Sequence, residues 1–210
     1  LGGSINLVAG HTTRVQLQHL KKIDLTVSKQ NASMQAQHAA KIARALAHLF
    51  SEKPLEKQPR QQTRIKKLLQ EVRDLQEHSL KTDDIELHLQ TAKGTSRINP
   101  HLLYWVVSEL ISNSRKALRL KQKDKKITLR NYADEDGHII EVEDNGIGIP
   151  EEHLPRVFGG FSGFRAQGIP GSGTIMPVIR KVVEAHGGSI HVESEQGKET
   201  KIKIIIPHSK

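Results

Sequence analysis

Residues 139–150 read Ile139-Ile140-Glu141-Val142-Glu143-Asp144-Asn145-Gly146-Ile147-Gly148-Ile149-Pro150 and lead into a segment dense in glycine and phenylalanine. The first five residues read as a strand, and Asp144 stands where that strand ends. Eight of the 16 glycines fall between Gly146 and Gly173, where average usage would place about two. Three of the four phenylalanines, Phe158, Phe161 and Phe164, lie in the same stretch. Glycine at that density disfavours helix and strand alike. The segment is therefore expected to be a long loop, and long loops inside compact domains usually serve as lids or binding loops. A carboxylate at a strand end, followed by Gly-x-Gly, sits beside bare backbone. It can accept a hydrogen bond from an exocyclic amine such as that of adenine. The glycines allow a flat ring and phosphates to come close. An ordinary strand-to-loop turn shows the same short pattern, so the neighbouring elements have to decide between the two.

Upstream, Asn99-Pro100 opens a helix expected over about 101–121, carrying Leu102, Leu103, Val106, Leu110 and Leu118. It contains Glu109-Leu110-Ile111-Ser112-Asn113-Ser114-Arg115-Lys116-Ala117. Glu109 and Asn113 are four apart and share a face, and Lys116 follows three beyond on the same side. An acid, an amide oxygen and an ammonium on one stripe of an apolar helix suit hydrated Mg²⁺ and phosphates. An amphipathic helix with its polar face in water is the alternative. Downstream, the loop ends in Gly168-Ile169-Pro170-Gly171-Ser172-Gly173 at the start of a helix expected over about 174–186. Backbone N–H groups at a helix N-terminus bind phosphate.

Further outward, residues 61–79 are expected to be a helix (Ile65, Leu68, Leu69, Val72, Leu75). Residues 84–90 alternate as a strand. Strands are also expected at about 126–132, 138–144, 189–195 and 200–206. Pro54 and Pro59 mark a linker or short edge strand over 51–59. Before it, residues 5–28 and 33–50 have helical apolar spacing around a turn at Ser28-Lys29-Gln30-Asn31, which makes an αα-hairpin. Such a hairpin is too small to bury its own apolar stripe and is expected to dimerise into a four-helix bundle. The fold class is α+β: a hairpin over 1–51, a linker over 52–59 and an α/β sandwich over 60–210, with one helical layer on a mixed sheet.

Composition narrows the function classes. The chain has 210 residues, and its hydrophobic fraction of 36% suits a packed, soluble domain. No run of 18 apolar residues occurs, so no membrane span and no membrane contact are expected of this segment. Leu1-Gly2-Gly3-Ser4 lacks the basic and apolar regions of a signal peptide. The absence of cysteine excludes disulfides, thiolate catalysis and Cys-type zinc sites. Residues 1–130 carry 24 Lys/Arg against 11 Asp/Glu, and residues 131–210 carry 8 against 12. The basic residues are spread over helical faces, so nucleic acid is not the expected partner.

In this order, the elements resemble the catalytic and ATP-binding domain of sensor histidine kinases. These belong to the GHKL (Bergerat) superfamily, with gyrase, heat-shock chaperones and mismatch-repair ATPases. The resemblance covers about residues 55–207. It rests on an asparagine box in Ser108–Leu118, a first glycine box in Val142–Pro150, a phenylalanine box in Val157–Phe161 and a second glycine box from Gly171 to Lys181. The tail Val182–Glu195 also matches. By resemblance, Asn113 holds Mg²⁺ bridging the phosphates of ATP and Lys116 contacts phosphate. Asp144 binds the adenine amine with Thr200 near it. Gly146 and Gly148 line the purine pocket, Phe158 belongs to the phenylalanine box, and Gly171 and Gly173 meet the phosphates. Glu109 matches the water-activating acid of the superfamily's ATPases. In a kinase it would polarise the phosphoacceptor or orient the metal's water.

The resemblance also implies a phosphoacceptor histidine on the hairpin. His11 fits best, because His11-Thr12-Thr13-Arg14 keeps a basic residue three positions on, and it precedes Asn113 by 102 residues (113 − 11). A mostly unprotonated imidazole is nucleophilic at neutral pH. His19, His38 and His48 are rivals on the same hairpin. The chain departs from the family at Thr12, where an acid follows the histidine, and at Gln16, where a kinking proline stands. Ile175 and Pro177 replace a glycine and a small residue, Glu199 replaces a glycine, and the lid between Phe158 and Gly171 is short. Three readings follow. The first is an ATP-dependent histidine autokinase that passes phosphate to a response-regulator receiver domain, acting as a homodimer through the hairpin. The second is a degenerate kinase serving as a nucleotide-binding scaffold. The third is an ATPase switch. The expected location is the cytoplasm, either free or as the cytoplasmic part of a membrane-anchored sensor.

Overall fold

The computed structural model describes residues 29–30, 32–121, 123–159 and 175–208. The helix expected over 5–28, with His11, and the end of the glycine-dense loop, with Gly171 and Gly173, lie outside the described residues. The chain divides into two compact units, Leu1–Ala39 and Ala40–Lys210. Residues 32–49 are helical (α1), and in the larger unit Ala45 on this helix is fully buried. Within that unit Lys41 pairs with Glu71 at 2.6 Å, and the Gln58 side chain bonds to His48, Ser51 and Lys53. A 3-10 turn, Leu55–Lys57, falls inside the expected linker.

The elements that follow are β1 (Gln61–Arg64), α2 (Ile65–Thr82), β2 (Ile85–Thr91), β3 (Thr95–Ile98), α3 (Pro100–Leu118), β4 (Lys125–Ala133), β5 (His138–Asp144), a 3-10 turn (Glu151–Arg156), α4 (Ile175–Ala185), β6 (Ser189–Glu195) and β7 (Glu199–Ile206). Several spans differ from the sequence expectation: Lys29 and Gln30, expected in a turn, are helical, and α2 runs on to Thr82. Residues 61–64 form a strand rather than helix, because they pair antiparallel with β3, itself unexpected. The helix expected to run to about 121 ends at Leu118, its last buried residue, with Arg119 as C-cap.

The main sheet runs β2-β4-β5-β7-β6. The β2–β4 pair is parallel and the remaining pairs are antiparallel. Alternation sorts the two faces. Leu129, Val142 and Ile202 lie in one register across β4, β5 and β7, and all three are buried. Asp144 and Thr200 continue that same face. The intervening positions carry charge: Arg130 bonds Glu141 and Glu143 at 2.6 Å each, and Lys201 approaches Glu143 at 3.9 Å. Three helices pack against the sheet, α2 on β2, α3 on β4 and β5, and α4 on β6.

Each helix is specified locally. On α2, Ile65, Leu68, Leu69, Val72 and Leu75 recur every three to four residues and are buried. Burying such a side chain contributes roughly 1.5–3 kcal/mol relative to leaving it exposed. α3 begins with Pro100 at its first position, and Asn99 Oδ1 accepts the N–H groups of His101 and Leu102. α4 turns Ile179, Val182 and Val183 inward.

Candidate functional site

Asp144 is the last residue of β5, on the sheet face that α3 covers, and only 4% of it is exposed. Ser114 of α3 donates its hydroxyl to Asp144 Oδ2 at 2.7 Å, and the Gly146 N–H donates to Oδ1 at 3.0 Å. Burial pushes the carboxyl up to about 6, against the pull of these two donors, while Glu143 and Glu199 push the same way as burial. A fully exposed aspartate would titrate near 3.8.

The loop after Asp144 is pinned at both ends. The Asn145 side chain accepts the Lys126 N–H at 2.8 Å and donates to the Asp124 carbonyl at 2.6 Å. Lys121 Nζ donates to the Asn145 carbonyl. On the other side, the Ile149 N–H donates to Ser194 Oγ at 2.8 Å, and the Gly197 N–H donates to the Ile147 carbonyl at 2.7 Å. Ser194 also lies 3.0 Å from Thr200 Oγ1, and Thr200 is the β7 register partner of Asp144. The loop is thus fastened to the β6–β7 hairpin.

The two glycines have separate reasons. A Cβ on Gly146 would stand 2.7 Å from Asp144 Oδ1 and 2.9 Å from the Ala117 methyl. Gly148 has φ +64°, and a Cβ there would collide with the Glu195 carbonyl. Gly146 lets the loop pack against the Asp144 carboxylate and Ala117, whereas Gly148 lets the loop turn against the hairpin.

Glu109, Asn113 and Lys116 occupy one side of α3 and are partly exposed. Burial raises the Glu109 carboxyl above its ordinary value, opposed by the Lys116 charge and by a hydrogen bond from the Trp105 indole. Asn113 donates its amide Nδ2 to Met176 Sδ of α4 at 3.3 Å, and Oδ1 has no hydrogen-bond partner among the described residues. No group of three or more His, Asp or Glu capable of holding a metal occurs among the described residues. A single amide oxygen near a carboxylate still fits Mg²⁺, which keeps several waters and takes its other ligands from phosphates. Phe158 is half-buried beyond the turn Glu151–Arg156. His11, Gly171 and Gly173 lie outside the described residues.

Three positions of the site carried no assignment from the sequence: Ser114, Ser194 and Asn145. Ser114 had a readable signal. It lies four residues from both Leu110 and Leu118, so it is a hydroxyl on a buried stripe. Ser194 and Asn145 work through backbone partners distant in sequence, which leave no local trace.

Comparison with known proteins bears on the fold that carries these residues. A domain-family model described as histidine kinase-, DNA gyrase B-, and HSP90-like ATPase matches residues 98–210, more than half of the chain. The chain is 35% identical over 114 residues to the signal transduction histidine-protein kinase ArlS of Staphylococcus aureus. That match covers 52% of this chain and 24% of ArlS, so the chain spans about a quarter of the length of such relatives. Among solved structures, a mycobacterial sensor histidine kinase, MprB, superposes with a TM-score of 0.59 at 23% identity, over 70% of this chain and 97% of that one. The nucleotide-free catalytic domain of histidine kinase ThkA gives 0.60 at 21% identity, over 72% and 99%. Full-length ShkA in complex with AMPPNP gives 0.60 at 17% identity, over 87% and 38%.

Proposed function

Since the chain belongs to the histidine kinase-, DNA gyrase B- and HSP90-like ATPase family, and its likeness falls on the sensor histidine kinase side, we propose that it is the ATP-dependent histidine autokinase core of a two-component system. The observation that carries this reading is the buried Asp144 carboxylate beneath α3, held by Ser114 and facing the bare backbone of Gly146.

In this reading residues 1–51 are the dimerisation and phosphotransfer hairpin, 52–59 the linker and 60–210 the catalytic domain. ATP is the phosphoryl donor. Asp144 accepts the adenine amine, with Thr200 beside it, while Gly146 and Gly148 leave room for the ring. Phe158 borders the pocket, and Gly171 and Gly173 offer N–H groups to phosphate. Asn113 Oδ1 would hold Mg²⁺, which neutralises phosphate charge when bound, and Lys116 contacts phosphate. Glu109, with its raised affinity for a proton, would polarise the phosphoacceptor or orient the metal's water.

His11 attacks the terminal phosphorus. The N–P bond forms as the bond to ADP breaks, and the bond's electron pair leaves on the ADP oxygen. An aspartate of a response-regulator receiver domain then takes the phosphoryl group. The protein works as a homodimer in the cytoplasm.

Incubation with Mg²⁺ and terminally labelled ATP tests this. The expected result is acid-labile, alkali-stable label on the protein that disappears in His11→Gln. Label that persists in His11→Gln would sink the assignment of His11. Nucleotide bound without label or released phosphate would point to a scaffold. Phosphate released without labelled protein would point to an ATPase switch using Glu109.

A further inference from the structure

Asp144 is gripped by two donors that reach different oxygens, Ser114 on Oδ2 and the Gly146 N–H on Oδ1. Ser114 occupies a position where α3 would otherwise bury an apolar side chain, four residues from fully enclosed Leu118 and from Leu110. A hydroxyl in such a place costs free energy unless it is bonded. Its partner is not a carbonyl of its own helix but a carboxylate thirty residues away on the sheet. A serine hydroxyl has one hydrogen to give. Given to Oδ2, it makes Asp144 the acceptor and fixes the plane of the carboxylate. A Cβ at Gly146 would crowd Oδ1 at 2.7 Å, so the bare backbone there is what lets the carboxylate keep this orientation.

We propose that Ser114 is a positioning residue for nucleotide binding: its hydroxyl holds Asp144 in the accepting form and in the one orientation that offers its spare lone pairs to a base with an exocyclic N–H donor. The inference rests on the reading of Asp144 as the base-binding group. It assigns Ser114 no contact with the nucleotide.

The surroundings make the role measurable. Among the described residues, the charged groups bearing on Asp144 are Glu143, beside it on β5, and Glu199 at the head of β7, and both disfavour ionisation. β4 brings Ile127 opposite, and α3 brings the Ser114 hydroxyl and the Ala117 methyl. Burial is the largest influence and also disfavours ionisation, so the two donors are what keep the carboxylate charged near neutrality. Removing one of them weakens the ionised form more than the protonated form. The acid limb of nucleotide binding must then move to higher pH.

The test compares wild type, Ser114→Ala and Ser114→Thr in the full chain. Affinity for a fluorescent ATP analogue is measured at each pH from 5.5 to 8.5, and urea unfolding confirms that each variant is folded. Ser114→Ala is expected to bind about tenfold more weakly at pH 7, to show its acid limb at higher pH than wild type, and to recover toward alkaline pH. Ser114→Thr, which keeps the hydroxyl, restores the wild-type limb. A loss of the same factor at every pH would mean a packing defect only and would overturn the inference, as would an unmoved limb. Failure of wild type to bind adenine nucleotide at any pH would instead overturn the reading of Asp144, and this inference with it.

Discussion

The backbone N–H of Asn99 donates to Nε2 of His186 at 3.0 Å, tying the residue that caps α3 to the residue that follows α4 across 87 positions of sequence. His186 Nε2 must be unprotonated to accept, so its proton sits on Nδ1, which donates to the Val182 carbonyl at 2.7 Å. Asn99 simultaneously caps α3 through Oδ1. One neutral imidazole therefore joins the ends of two helices that flank the candidate site.

That neutrality predicts a pH dependence of stability. Burial holds the His186 pKa below its ordinary value of 6.5, helped by the Arg60 charge and opposed by the Val182 carbonyl. Between the folded and unfolded values the unfolded chain binds more protons, so stability rises with pH there. The contribution is complete above about 6.5 and is lost as pH falls through the folded value. Urea unfolding at pH 5.5 and 7.5 should show wild type weaker at the lower pH. His186→Ala should lose about 1–3 kcal/mol at pH 7.5, because the Asn99 N–H is left without its partner. It should also show a shallower pH dependence. An equally steep one in His186→Ala would place the titration on other histidines.

Asp144 has the opposite sign. Its carboxyl is raised to about 6, so its contribution to stability is complete below the unfolded value near 3.8 and is lost as pH rises through the folded value. An amide at this position keeps both partners: Oδ1 still accepts from Gly146, and the Ser114 hydroxyl accepts as readily as it donates. Asp144→Asn is therefore expected to be more stable than wild type at pH 8 by about 1–3 kcal/mol. At pH 4 the two should be nearly equal. The same variant should bind adenine nucleotide poorly at both pH values. A less stable Asp144→Asn at pH 8 would show that the ionised carboxylate is not a liability to the fold.

The residues that reveal the fold in the sequence are those whose role is local. Asp144-Asn145-Gly146-Ile147-Gly148 marked a strand end and a bare loop, and β5, β6 and β7 form where strands were expected, β6 and β7 alternating in burial and β5 buried on both faces. Glu109, Asn113 and Lys116 could be placed on one face of a helix by spacing alone. β1 could not be read this way. Gln61-Gln62-Thr63-Arg64 runs straight into the apolar stripe of α2, and only its pairing with Thr95–Ile98, 31 to 37 residues downstream, makes it a strand. Ser114 was hidden for a similar reason: its meaning depends on a carboxylate on another element.

Gly148 tests whether the loop after β5 is shaped by its backbone. At φ +64° a non-glycine residue carries a steric cost of about 1–2 kcal/mol, and here the added methyl also meets the Glu195 carbonyl. Gly148→Ala should destabilise the domain by at least about 2 kcal/mol in thermal or urea unfolding. Because the loop must move off the β6–β7 hairpin, the Ile149–Ser194 and Gly197–Ile147 bonds should open together. Faster amide exchange at Ile149 and Gly197 would report this. Unchanged exchange with normal stability would mean that the loop accommodates the methyl.

Asp83 and Arg115 offer the complementary electrostatic case. Asp83 ends α2, and its carboxylate lies 2.5 Å from Arg115 Nε of α3 and 3.6 Å from Arg119. Arg115, through its hydrogen bond, holds the Asp83 carboxyl below its ordinary value despite some opposing burial. The contribution is present above the unfolded value near 3.8 and is lost as pH falls through the folded one, the reverse of Asp144. Both side chains are partly open to water, so Asp83→Ala should cost only about 1 kcal/mol, and less in high salt. Since Arg115 adjoins Ser114, the pair also bears on the site. A double-mutant cycle of Asp83→Ala with Arg115→Ala should give a coupling of about 0.5–1 kcal/mol in unfolding. If the pair also steadies this end of α3 against Asp144, Asp83→Ala will weaken nucleotide binding by more than its effect on stability requires. Equal nucleotide affinity in wild type and Asp83→Ala would confine the pair to joining α2 and α3.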